Sequence, residues 1–101
     1  MLNQLVLVGR LTKEIQIIND NKAEINIAVP RPFKNKEGIY DTDFINVILY
    51  GDTANMAKEY CHKGDLIGIK GRIQSYEDLS IEIIAEKLTF LNANKEEKEN
   101  E

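Results

Sequence analysis

The chain has 101 residues, 43% of them apolar, which is enough for one compact domain and hardly for two. No apolar run approaches the roughly 18 to 20 residues that cross a bilayer, and no charged segment with a long apolar stretch opens the chain, so a cytoplasmic protein is expected. The net charge of −4 argues mildly against a polyanionic ligand, and a single cysteine with one histidine beside it excludes a disulfide framework and a zinc-type ligand set.

The chain opens with Leu2 to Arg10, where Leu5-Val6-Leu7-Val8 is apolar on both faces of a strand, so both faces are expected to be covered. In so small a domain one cover is the core and the other a neighbouring subunit. Glu14 to Ile18 forms a short second strand before the turn cluster Asn19-Asp20-Asn21-Lys22. Residues 23 to 29 alternate again, with Ile25, Ile27 and Val29 inward. Pro30 and Pro32 then remove backbone donors and are expected to open a long loop to about Thr42, which carries Arg31, Phe33, Lys34, Lys36 and Tyr40.

Asp43 to Gly51, D-F-I-N-V-I-L-Y-G, splits at strand period into two unlike faces. Ile45, Val47 and Leu49 form an aliphatic side. Phe44, Asn46, Ile48 and Tyr50 form the other, which is either buried under a second layer or a platform on which flat ligands stack. Next comes a helix with Asp52 at its N-cap and Lys63-Gly64 as its stop signal. Its stripe is Ala54, Ala57 and Cys61, broadened by Met56 and Tyr60, so Tyr60 reads as helix packing and Cys61 as core.

Asp65 to Tyr76 puts Ile67, Ile69, Gly71 and Ile73 on one face and Lys70, Arg72, Gln74 and Tyr76 on the other. A tight hairpin at Glu77-Asp78 leads into Leu79 to Leu91. There Leu79, Ile81 and Ile83 share one parity while Leu88 and Phe90 share the other, which implies a bulge between Ile84 and Lys87. Residues 92–101 hold two lysines and four glutamates with no apolar residue beyond Ala93, and they read as a short disordered acidic tail after a domain of residues 1–91. The tail accounts for half of the net charge, so local positive potential coexists with an acidic total.

Five or six strongly curved strands with one helix between the third and fourth major ones make an all-β chain with one helix, and a five-stranded Greek-key barrel of the OB-fold type matches that order. The chain also resembles the bacterial-type single-stranded DNA-binding proteins. The resemblance rests on N-x-x-x-L-V-G-R-L at Asn3 to Leu11, I-x-I-A-V at Ile25 to Val29, D-F-I-N-V-I-L-Y-G, the K-G that closes Tyr60 to Gly64, I-K-G-R-I-Q-S-Y at Ile69 to Tyr76, and A-E-K-L-T-F-L at Ala85 to Leu91. It covers about residues 2 to 91.

The resemblance implies sequence-independent binding and protection of single-stranded DNA in replication, recombination or repair. The base-stacking positions fall on Phe33, Phe44 and Tyr50, with Tyr76 as a fourth. Lys34, Lys36, Lys70 and Arg72, together with Arg31 and Arg10, would track phosphates, and Asn46 would add a polar contact. Every base offers a flat π face, and each stack is worth roughly 1 to 3 kcal/mol, a magnitude established for single-strand-binding barrels as a class. About four neutralised phosphates would give a slope of log affinity against log salt of roughly −3.

The resemblance further implies a homotetramer built partly through the first strand, with a homodimer as the other possibility, and a place in the cytoplasm at the nucleoid. The chain departs from the family pattern in three respects: the Glu77-Asp78 hairpin leaves almost no DNA-contacting arm, there is no tryptophan, and there is no acidic, hydrophobic tip. Recruitment of replication proteins through a tail is therefore not expected. Two other readings are a subunit like primosomal replication protein N, acting in replication restart, and a barrel that binds protein or oligosaccharide, since the fold does not determine the ligand. No cofactor and no catalysis are expected, because the chain has no phosphate-cradling glycine loop, nucleophile arrangement or metal cluster.

Overall fold

The computed structural model describes residues 1–91. Six strands and one helix follow in the order β1 (Leu5–Leu11), β2 (Gln16–Asn19), β3 (Lys22–Lys34), β4 (Tyr40–Tyr50), α1 (Gly51–Tyr60), β5 (Leu66–Ser75) and β6 (Ile81–Phe90). β1 pairs with both β5 and β3, and the order β1-β5-β6-β4-β3 therefore closes on itself as a five-stranded barrel, with β2 added outside β3. β4 and β6 are parallel and every other pair is antiparallel. This is the all-β OB-fold architecture implied by the alternation. The acidic tail predicted for residues 92–101 lies outside the described residues.

The inward parity of each strand fills the barrel. Ala23, Ile25 and Ile27 from β3, Val47 and Leu49 from β4, Ile67 and Ile69 from β5, and Ala85 and Leu88 from β6 form one buried cluster with Leu11. The helix covers it with Ala54 and Ala57, and Cys61 at its C-cap joins them. Closure brings β1 against β3 so tightly that a Cβ on Gly9 would stand 2.5 Å from the Ala28 carbonyl oxygen, which only glycine tolerates. The expected bulge is present: Lys70 pairs with Lys87 but Gly71 with Ala85, so Glu86 is the extra residue. It bends β6 and switches its inward parity from Ile83 and Ala85 to Leu88 and Phe90.

Four expectations need correction. The stretch from Pro30 to Thr42 is no loop, because β3 continues to Lys34 and pairs back onto β4. Pro30 faces Thr42 and Lys34 faces Tyr40, and the two extra residues on β3 are absorbed as a bulge around Arg31, Pro32 and Phe33, where the missing donor of Pro32 disrupts no ladder. This makes a projecting two-stranded arm. Asp52 does not cap the helix: Tyr50 is the N-cap, in extended conformation with no side-chain cap bond, and Asp52 sits in the first turn. The helix ends at Tyr60, before Lys63-Gly64, and the Tyr60 ring is exposed, touching Phe90 edge-on at 5.9 Å. Ile73 has inward parity but lies beyond the packed interior and is 42% exposed. The outer face of β1 is likewise uncovered within one chain, with Val6 73% and Val8 47% exposed.

Candidate nucleic-acid interface

The pairing registers assemble one continuous outer surface from β3, β4, β6 and β5. Residues directly opposite in a ladder share a face, so the register sets Ala28 beside Phe44, Asn26 beside Asn46, Glu24 beside Ile48, and Lys22 beside Tyr50. On the other side of β4, Ile48 lies beside Ile84, which pairs with Arg72, and Glu82 pairs with Gln74. The second face of the Asp43 strand thus has a buried floor and an open surface. Ile48 is only 4% exposed because Ile84 stands against it across the parallel pair, whereas Phe44 is 68% exposed. A depression beside them is lined by Glu24, Phe44, Asn46, Ile48 and Ile83.

The aromatic side chains predicted to stack have distinct settings. Phe33 stands exposed on the bulge of the arm. Tyr50 is partly exposed, and the Lys22 ammonium lies 5.6 Å from its ring centre. Tyr76 follows β5 on the side of Arg72 and Gln74, and its hydroxyl donates to Glu82 Oε1 and accepts from Gln74 Nε2 at 3.2 Å. The hydrogen bond to Glu82 raises the phenol above its ordinary titration range. Among these four, Tyr76 is the one tied down through its polar tip.

A hydrogen-bonded row runs from Thr12, just past the end of β1, across β3 to β4 on this surface. Thr12 Oγ1 donates to Asn26 Oδ1 at 2.7 Å, and Asn26 Nδ2 donates to Asn46 Oδ1 at 2.8 Å. Asn46 is therefore oriented with its carbonyl occupied and its amide hydrogens left for a ligand, and it lies within two residues of Phe44.

The predicted cations divide into free and engaged groups. Lys36 is exposed at the tip of the arm, and Lys34 sits with its ammonium 5.8 Å from the Tyr40 ring centre. Lys70 is exposed directly across from Lys87, and like charges face to face are unfavourable unless an anion joins them. Arg72 is shared between Gln74 Oε1, to which Nη1 donates at 2.8 Å, and Glu86 Oε2, 3.4 Å from Nε. Arg31 is held most firmly: its Nε and Nη2 donate to the Asp43 carboxylate at 2.9 to 3.2 Å, with Asp41 3.8 Å away. This fork keeps the Asp43 carboxyl below its ordinary range and braces the base of the arm. Arg10 is in register with Ala28, one strand beyond Phe44, and its Nη1 donates to the Gly64 carbonyl oxygen at 3.1 Å.

Lys22 and Lys87 join the surface without having been singled out from sequence. Their signal was cross-strand position, opposite Tyr50 and Lys70, which a linear reading does not contain. Among the described residues no group of His, Cys, Asp and Glu is placed to hold a metal, and no helix is long and apolar enough to cross a membrane.

Known proteins are similar to this chain in sequence and in fold. Single-stranded DNA-binding protein B of Bacillus subtilis is 37% identical over 97% of either chain, and single-stranded DNA-binding protein 1 of Clostridium acetobutylicum is 34% identical over 94% of this chain and 98% of its own. Among solved structures, Plasmodium falciparum SSB in its complex with ssDNA superposes with a TM-score of 0.71 over 91% of this chain and 96% of that one, at 22% identity. A small single-stranded DNA-binding protein from Streptomyces coelicolor superposes with a TM-score of 0.68 over 93% and 97%, at 17% identity. These two are likenesses of fold. The Single-strand binding protein family matches residues 2–91, the whole of the barrel and its arm, and to that family the chain belongs.

Proposed function

We propose that the chain binds single-stranded DNA without regard to sequence, protecting it and keeping it unpaired during replication, recombination or repair, and that it acts by binding alone. The observation that carries this reading is Phe44: a large apolar ring, 68% exposed on the outer face of the sheet, on the same side of β4 as the oriented Asn46. Such a ring gains nothing from water and presents a flat surface to any base. Phe33 and Tyr50 extend the stacking surface, and Tyr76 adds a further position. Lys34, Lys36 and Lys70 supply phosphate contacts, joined by Arg72, Arg31 and Arg10 where their internal partners yield. Family membership over residues 2–91 supports the same reading, and the proposed setting is the bacterial nucleoid.

The test is a titration with labelled oligo-dT at two salt concentrations. Binding is expected at low salt, with log affinity falling against log salt at a slope of roughly −3. No binding at low salt would sink the reading.

The exposed Val6 and Val8 support self-association through β1, as a homotetramer or a homodimer. Mass measurement in solution separates the two, and a monomer that Val6→Asp leaves unchanged would exclude both.

A further inference from the structure

Tyr40 opens β4 at the far end of the arm, and neither the strand pattern nor the family resemblance assigns it a part in binding. Its placement does. β4 runs without a bulge from Tyr40 to Tyr50, the extra residues of the arm being on β3, so Tyr40 and Thr42 lie on the side of β4 that carries Phe44, Asn46, Ile48 and Tyr50. At the rise of a strand, Tyr40 stands about 13 Å beyond Phe44 along that line. Its ring is 54% exposed, and the Lys34 ammonium sits 5.8 Å from its centre, just as Lys22 sits by Tyr50 at the other end of the strand.

The tip behind Tyr40 is built to hold it. Asn35 N–H donates to the Ile39 carbonyl at 2.8 Å, and Asn35 Oδ1 accepts from the backbone of Glu37 and Ile39 at 2.8 and 3.0 Å. Asn35 Nδ2 donates to Asp41 at 3.2 Å, and Gly38 supplies the left-handed turn residue at φ +80°. An aromatic presented on such a frame loses little freedom when a base stacks on it.

Electrostatics favour the arm over the opposite side of the surface. The β5–β6 turn and the start of β6 carry Glu77, Asp78 and Glu82 with no cation among residues 73–86. On the arm, Arg31, Lys34 and Lys36 balance Glu37, Asp41 and Asp43, and with both aspartates turned to Arg31 the two lysines at the tip face Glu37. A phosphate chain leaving Phe44 is repelled from the first, acidic path, whereas the second is neutral overall and offers Lys34 and Lys36.

We propose that Tyr40 is a further base-stacking position, that its ring takes a base on the face away from Lys34, and that the bound strand runs out along the arm. This rests on the function proposed above, and the experiment separates the two. Wild type, Tyr40→Ala and Tyr40→Phe are titrated at low salt with oligo-dT of about 6 and about 16 nucleotides, within the site sizes of single barrels. Tyr40→Ala is expected to lose at least about fivefold in affinity for the longer strand, the low end of one stacked base, and little for the shorter, while Tyr40→Phe keeps both. Equal affinities for the longer strand in wild type and Tyr40→Ala overturn the inference alone; failure of wild type to bind either strand overturns the function as well. Photo-crosslinking of wild type to a halogenated oligo-dU, mapped by mass spectrometry, needs no folded variant: an adduct on Tyr40 supports the inference, and adducts confined to β4 beyond Asp43, β5 and β6 overturn it.

Discussion

A Cβ on Gly71 would stand 2.2 Å from the carbonyl oxygen of Ile84. That contact lies where β5 crosses the Glu86 bulge, so the curvature that closes the barrel depends on an absent side chain. Gly71→Ala forces one of two paired backbones to move. The expected loss is roughly 1 to 3 kcal/mol of stability, read as a lower urea midpoint.

Phe44→Ala removes a ring that the barrel does not use. Its melting temperature is expected to stay near that of wild type, while oligo-dT affinity falls by roughly 1 to 3 kcal/mol, the range established for stacking in such barrels. A variant with a collapsed fold would show that Phe44 is a packing residue.

Glu86 competes for Arg72, a predicted phosphate contact, from the bulge that aims it there. Glu86→Gln removes a negative charge from the surface and frees the guanidinium. Affinity for oligo-dT is expected to rise at low salt, and the salt slope to steepen by roughly 0.7. The pair is exposed, so stability is expected to change by less than about 1 kcal/mol.

Burial of Cys61 against the barrel pushes its thiol up to about 11, with the Asp65 carboxylate adding to the shift. The folded state therefore favours the neutral thiol: stability from this group is full below the ordinary thiol pKa and is lost as pH rises through about 11. At pH 7 to 8 the native protein is expected to resist iodoacetamide, and urea unfolding to restore labelling. Rapid labelling of the native protein would contradict this placement.

The Arg31–Asp43 fork makes arm order pH-dependent with a definite sign. Asp43 is held below its ordinary range by the guanidinium, so its contribution is present above that range and is lost as pH falls through the depressed value. Amide protection factors in residues 31–43 are expected to hold at neutral and mildly acidic pH and to fall only in stronger acid. Asp43→Asn is expected to lower them already at pH 7.

Much of this molecule was legible in the chain because strand faces are written locally. The alternation Ile25, Ile27, the division of Phe44 and Asn46 from Val47 and Leu49, the Lys70–Arg72–Gln74–Tyr76 face and the parity switch after Ile83 each need only a few neighbouring residues to interpret. They determined the barrel and its bulge and set Phe44, Tyr50, Lys70 and Arg72 on the outward faces, while the stacking and phosphate roles were implied by the family resemblance. What tertiary structure alone decided depends on partners distant in sequence. Ile48 is covered because β6 returns parallel to β4 and brings Ile84 beside it, and Arg72 is engaged because the bulge swings Glu86 over it. The prolines, which locally signal a loop, are accommodated because Pro32 falls in a register shift while Pro30 keeps its place opposite Thr42, and the resulting arm carries Tyr40 into line with Phe44. Pattern along the chain assigns a side chain to a face, but only closure of the barrel determines what stands next to it.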